Sequence, residues 1–362
     1  MKAGQSWHEP VSESTALPSP PHGPSQAPPA PPRSNSYSSP VQFADLESTE
    51  RLAFAFERIV ENVELAYLGN DRAVRLALAC LMAEGHLLVE DRPGVGKTTL
   101  AKALARSVGL GFRRVQFTAD LLPSDVTGSV VLDRDHGGLA FRRGPVFTNV
   151  LLADELNRAS PKAQSALLEA MEERQVSSDG ATYALPRPFM VLATQNPFDS
   201  AGTFPLPHSQ RDRFLLRVSL GYPDRRSEEE LLGSREKRPK PEDLPPACDP
   251  QVISAFAAAV KNVHLSPEVR GFVVDLVAST RSHPELAVGA SPRAGLAVLG
   301  AAAAIAVSRG RSYVIPDDVK DVAEPALGHR VVVQPAAELA GVTASGVVEE
   351  ITSSQPVPIG GR

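Results

Sequence analysis

Residues 86–108 leave this chain little freedom. His86-Leu-Leu-Val-Glu90 is a short apolar run and reads as a buried strand. From Thr98 onward, Leu100, Ala101, Leu104 and Val108 recur at helical spacing. Between strand and helix lies Asp91-Arg-Pro-Gly-Val-Gly-Lys-Thr-Thr99. Gly94 and Gly96 permit positive φ and close backbone approach. The start of the helix adds unpaired amides and a favourable dipole, so the turn can cradle phosphates. Pro93, Gly94, Val95, Gly96, Lys97, Thr98 and Thr99 are therefore the expected binding residues. Lys97 is expected on the β- and γ-phosphates and the Thr98 hydroxyl on Mg²⁺. A Gly-rich turn before an ordinary surface helix is the plain alternative, and the whole Pro-Gly-Val-Gly-Lys-Thr-Thr run argues against it. The strict pattern wants a further glycine where this chain carries Asp91.

Asn149-Val-Leu-Leu-Ala153 is a continuous apolar run, as in a central parallel strand buried on both faces. Asp154 and Glu155 follow at its end, where α/β sheets bind ligands. Asp154 is placed to reach the metal, and Glu155 to take a proton from attacking water. The pair could instead cap the next helix. Ser160 and Pro161 already start that helix well and leave the acids free. Pro188 to Thr194 is another strand, ending in Gln195-Asn196-Pro197. Asn196 could hold the attacking water, or mark an Asn-Pro turn. Ser291-Pro-Arg-Ala294 opens an Ala-rich helix running to about Val307. Arg293 opposes that helix dipole. An anionic ligand would compensate; an exposed arginine is the bland alternative.

The order of these motifs resembles the MoxR family of AAA+ ATPases. The resemblance is carried by Gln116-Phe-Thr-Ala-Asp-Leu-Leu-Pro-Ser-Asp-Val-Thr-Gly128, Gly144-Pro-Val-Phe147, Leu151 to Ala159 and Pro161 to Val176. Ala193-Thr-Gln-Asn-Pro197, Gly202-Thr-Phe-Pro-Leu-Pro207, Asp212-Arg-Phe214 and Ser291-Pro-Arg293 complete it. It implies a P-loop α/β core with a parallel sheet flanked by helices, followed by a small all-helical lid. It also implies ATP and Mg²⁺ as ligands, a homo-hexameric ring and chaperone-like work on protein clients. A partner with a von Willebrand factor A domain is expected with it. Asn196 matches sensor 1, Arg293 sensor 2, and Arg213 the arginine finger offered to a neighbour. His208 and Arg211 depart from the family pattern, and Arg211 becomes a second finger candidate.

Residues 1–40 are rich in Pro and Ser and cannot bury a core, so disorder is expected there. The core is expected over 41–222, led by a helix whose Leu52, Phe56, Ile59 and Val63 share one face. A charged linker over 223–250, a lid over 251–352 and a loose tail over 353–362 complete the chain. Within the lid, helices are expected near 251–262, 267–282, 292–309 and 316–326, then a short extended piece and a weak helix. Insertions at 121–141 and 175–188 read as hairpins, the second turning at Asp179-Gly180. In the resembling family they face the ring pore. His136 has no companion ligands and is not read as a metal site.

The net charge of −5 gives no broad basic footprint for nucleic acid. The sequence has two cysteines, Cys80 and Cys248, which suits a reducing cytoplasm better than a disulfide framework. No apolar run is long enough to span a bilayer, and no signal peptide is visible. The expected activity is Mg²⁺-dependent ATP hydrolysis driving protein remodelling. The competing class is a nucleotide-gated scaffold with negligible turnover, against which Glu155 argues, since a switch needs no base.

Overall fold

The structure, a computed structural model, describes residues 40–41, 48–133, 138–197, 202–233 and 238–358. The Pro/Ser-rich segment over 1–39, His136 and the last residues of the tail lie outside them. Helices α1 (Thr49–Ala66) and α2 (Asp71–Met82) lead into β1 (Leu87–Glu90), α3 (Lys97–Ser107) and β2 (Phe112–Gln116). The first insertion holds α4 (Pro123–Thr127) and the hairpin β3 (Gly128–Asp133)–β4 (Gly138–Arg143). Then come β5 (Val150–Asp154), α5 (Pro161–Glu173), the hairpin β6 (Gln175–Ser178)–β7 (Ala181–Ala184) and β8 (Met190–Gln195). The helix α6 (His208–Arg211) and β9 (Leu216–Val218) close the core. The second hairpin turns at Asp179 and Gly180, both left-handed with φ of 50° and 75°.

Five parallel strands form the sheet in the order β2-β5-β8-β1-β9. Their alternation divides the side chains between two layers. Leu87, Val89, Leu152 and Leu192 share a core with α1, α2 and α3. Leu88, Leu151, Ala153 and Val191 pack with Leu167, Leu168 and Met171 of α5. In α1 the expected face is the buried one: Leu52, Phe56, Ile59 and Val63 all point inward.

After α7 (Arg225–Gly233) come the lid helices α8 (Gln251–Asn262) and α9 (Pro267–Ser282), then β10 (Leu286–Val288). They are followed by α10 (Pro292–Ser308), α11 (Pro316–Leu327), β11 (Val332–Val333), α12 (Pro335–Leu339) and α13 (Ala344–Ser354). The lid is helical, as expected, and the expected short extended piece is β11, which pairs antiparallel with β10. One expectation needs correction. The last helix is not weak: Val347, Val348 and Ile351 of α13 are buried and hold it to the lid. Residues of α8 to α11 and α13 also belong to the same apolar core as α1 to α3. Core and lid thus share one interior, with α10 seated on α1 and α2. No helix among the described residues is long and apolar enough to cross a membrane.

Candidate functional site

The loop over 91–96 joins β1 to α3. Gly94 and Gly96 hold φ of 86° and 90°, as their sequence positions require. A Cβ on Gly96 would sit 3.1 Å from the Tyr67 ring. Val95 is buried and anchors the loop, while Pro93 and Gly94 stay exposed. Gly96 caps α3 without a side chain, so no capping group occupies the first-turn amides. With Thr98 and Thr99 in that turn, this donor set suits a polyanion such as a triphosphate. Lys97 Nζ donates to the Asp91 carbonyl and, at 3.2 Å, to that of Gln195. Burial draws the ammonium below the ordinary lysine range, although Asp91, Asp154 and Glu155 pull it the other way.

Asp91 has a reason to be there. Its Oδ2 accepts from Ser219 Oγ at 2.9 Å and from the amides of Leu220 and Gly221 at 2.7 Å each. Its Oδ1 accepts from the Arg92 amide at 2.8 Å. Burial raises its pKa, but these hydrogen bonds together outweigh that and hold it below the usual carboxylate range. A glycine there could not tie the loop to the end of β9.

Asp154 ends β5, and Glu155 follows in a left-handed conformation, φ 56° and ψ 47°. That conformation costs a non-glycine residue roughly 1–2 kcal/mol. Thr194 of β8 stabilises it. Its buried hydroxyl accepts from the Glu155 amide at 2.8 Å and donates to Asp154 Oδ1 at 2.6 Å. Glu155 Oε2 accepts from Gln116 Nε2 at 2.9 Å and faces Arg158 Nε at 3.2 Å. Asp154 Oδ2 faces Arg114, whose Nη2 lies 2.7 Å away. Asn196 directly follows β8, the strand between β5 and β1, so it stands between the acid pair and the Lys97 loop. Lys97, Asp154, Glu155 and Asn196 are thus brought to neighbouring strand ends. The Thr98 hydroxyl and Asp154 carboxylate are hard oxygen donors that fit Mg²⁺.

The arginines stand elsewhere. Arg213 Nη2 and Arg293 Nη1 both pair with Glu172, at 3.1 and 3.2 Å. Glu172 lies in the last turn of α5, beside Met171, whose carbonyl meets His86 Nε2 at 3.1 Å. His86 precedes β1, so Glu172 marks the amino end of the sheet, whereas Lys97 follows its carboxyl end. A four-residue strand separates them, roughly 13 Å at about 3.3 Å per residue. The structure does not bring Arg293 to its own phosphate loop. The anion that offsets its unfavourable helix position is Glu172. The start of α10 is held at that end through its cap, Ser291, which bonds Asp212, while the body of the helix sits on α1 and α2.

Arg330, unmarked by any motif, locks this arrangement. Almost fully buried, it pairs with Asp212 Oδ1 at 2.6 Å and donates to the carbonyls of Asp212, Phe214, Leu215 and Ala326. Asp212 Oδ2 also accepts from Ser291 Oγ, the cap of α10, at 3.3 Å. His208 reaches the Arg330 carbonyl through Nε2 at 2.8 Å, a donor role that a carboxylate could not fill. The Asp212-Arg213 pair thus ties lid to finger candidate. The Nε of Arg211 is buried without a partner among the described residues. Thr194, Gln116, Arg114 and Glu172 also escaped sequence reasoning, because strand register and helix docking, not spacing, bring them to the site.

A glycine-rich loop after β1, an acid pair two strands away at the end of β5 and a helical lid define an AAA-type ATPase module. The AAA model, described as the ATPase family associated with various cellular activities, matches residues 86–216. An AAA lid domain model matches residues 278–351. The chain is 40% identical to "Chaperone MoxR1" of Mycobacterium tuberculosis, covering 80% of this chain and 77% of that one. It is 44% identical to "Uncharacterized protein YeaC" of Bacillus subtilis, over 83% of this chain and 94% of the relative. "Protein MoxR" of Methylorubrum extorquens is 32% identical, over 79% and 90% of the two chains. A solved structure from Cytophaga hutchinsonii superposes with a TM-score of 0.80 at 33% identity, covering 86% of this chain and 97% of that one. The chain belongs to the MoxR family of AAA+ ATPases.

Proposed function

We propose that this protein binds ATP with Mg²⁺ at the carboxyl ends of β1, β5 and β8 and hydrolyses it. The cycle drives chaperone-like remodelling or maturation of partner protein complexes. The observation that carries this reading is the meeting of Lys97, Asp154, Glu155 and Asn196 at adjacent strand ends. Lys97 and the amides opening α3 bind the triphosphate. The metal, held by Thr98 and Asp154, supplies charge neutralisation on the phosphates. Glu155 takes the proton of the attacking water, and Asn196 orients that water.

The arginines of one subunit serve the next. Arg213 and Arg293, gathered on Glu172 far from their own loop, suit a γ-phosphate presented by a neighbour in a ring. A homo-hexamer, a cytoplasmic location and a partner with a von Willebrand factor A domain complete the proposal. A relative named as a chaperone supports the remodelling role.

The test is paired. Lys97→Ala should lose ATP binding in calorimetric titration. Glu155→Gln should bind ATP as the parent does while steady-state hydrolysis falls about 10²–10⁴-fold, the usual worth of a general base. A parent that binds ATP yet turns over no faster than Glu155→Gln would favour the nucleotide-gated scaffold.

A further inference from the structure

The acid proposed for Mg²⁺ already holds a cation. β2 is an edge strand, in register with β5 so that Arg114 faces Leu152 and Gln116 faces Asp154. From that edge the Arg114 guanidinium donates to Asp154 Oδ2 through Nε at 3.1 Å and Nη2 at 2.7 Å. Nη2 also donates to Gln116 Oε1 at 3.0 Å, and Gln116 Nε2 donates to Glu155 Oε2 at 2.9 Å. One short chain of contacts therefore engages both acids.

Oδ2 of Asp154 accepts both Arg114 contacts, while Oδ1 accepts one from Thr194 and keeps an acceptor site. A metal or its water drawn to Oδ2 must replace the guanidinium, and one at Oδ1 meets its positive charge close by. Thr194 is 1% exposed and also supports the Glu155 amide, so it is costly to move. The Arg114 side chain is 48% exposed and can reach solvent from the open sheet edge. Exposed ion pairs are weak and entropically costly to hold. Arg114 is the partner that yields.

We propose that Arg114 is a resident cation on Asp154, occupying the place Mg²⁺ takes and competing with it. Its departure also removes the contact that orients Gln116 against Glu155, so metal entry loosens the partner of the base. The guanidinium offsets the Asp154 charge, half of an acid pair that repels an incoming polyphosphate. Arg114 is thus a positioning residue that sets the metal requirement. The inference rests on the reading that Asp154 serves the metal.

The experiment titrates Mn²⁺ into the full-length, ADP-loaded chain and reads free Mn²⁺ by electron paramagnetic resonance. Arg114→Met should lower the Mn²⁺ midpoint about two- to fivefold, the worth of an exposed ion pair. Arg114→Gln, which keeps a donor but no charge, should shift it in the same direction and serves if the Met variant does not fold. Arg114→Lys should stay near the parent. An unchanged or raised midpoint in folded Arg114→Met or Arg114→Gln overturns the proposal. Asp154→Asn separates the two readings. If it leaves the midpoint unmoved, Asp154 does not serve the metal and both readings fall. If it raises the midpoint while the Arg114 variants do nothing, only the Arg114 proposal falls.

Discussion

Asp91 spends its carboxylate on four donors around the start of the phosphate loop and the end of β9. Asp91→Gly would satisfy the strict phosphate-loop pattern, yet it would leave the buried Leu220 amide without its partner. We expect a loss of about 1–3 kcal/mol, the cost of an unsatisfied buried donor. Asp91→Asn should lose less. Thermal unfolding with and without ATP checks this, and a Gly variant as stable as the parent would contradict the role assigned to Asp91. Thr194 is the second instructive residue. Thr194→Val keeps its volume and removes the hydroxyl that braces both acids. Turnover should fall about 10–100-fold, the usual effect of losing an outer partner of a metal site. ATP affinity in metal-free buffer should hold, as fluorescence titration would show.

At the level of elements, His86 stitches the sheet to α5. The Val191 amide must donate to Nδ1, at 3.0 Å, so Nε2 carries the hydrogen and donates to Met171. Burial pushes this histidine down to about 3, and His329, buried against Arg330, is also driven well below its ordinary range. Both are neutral when folded. Below pH about 6.5 the unfolded chain takes up protons that the folded chain refuses. Stability is therefore complete above that pH and falls as pH drops toward 3. Melting temperature should decline over this window, and His86→Gln should flatten the slope while lowering the plateau. A flat profile from pH 7 to 4 would contradict it. The strand pattern was legible because Leu151–Ala153 and Met190–Ala193 are apolar on both faces. The short β10–β11 pair was not, since two or three residues carry no period. Nor was the meeting of Arg114 with Asp154, which depends on the register of β2 against β5.

On the scale of the molecule, the seat of the lid decides what one chain can do alone. Phosphate loop and acid pair lie at the carboxyl edge of the sheet, and Arg213 with Arg293 at the amino edge. The arginines were readable in the sequence, but their gathering on Glu172, with Ser291 tied to Asp212, comes from tertiary contacts that no motif encodes. ATPase rate per chain should therefore rise with protein concentration. Arg213→Ala and Arg293→Ala should each be slow, and mixing either with Glu155→Gln should restore part of the turnover, because some interfaces then pair an intact base with intact arginines. No recovery on mixing would place both arginines in their own subunit's site. Arg330→Met should free the lid, since breaking a buried charge pair costs about 3–5 kcal/mol. Limited proteolysis near 212–215 and 328–331 would report it.

Both cysteines are buried, and burial pushes the Cys80 thiol upward and that of Cys248 up to about 12. Neither forms a thiolate near neutral pH, and the sequence contains no third. The natural chain is therefore a silent background for thiol chemistry. A single cysteine placed on exposed Leu296 of α10, and another on exposed Glu173 of α5, would take maleimide dyes alone. Energy transfer between them could follow the lid through the nucleotide cycle without first removing a native residue.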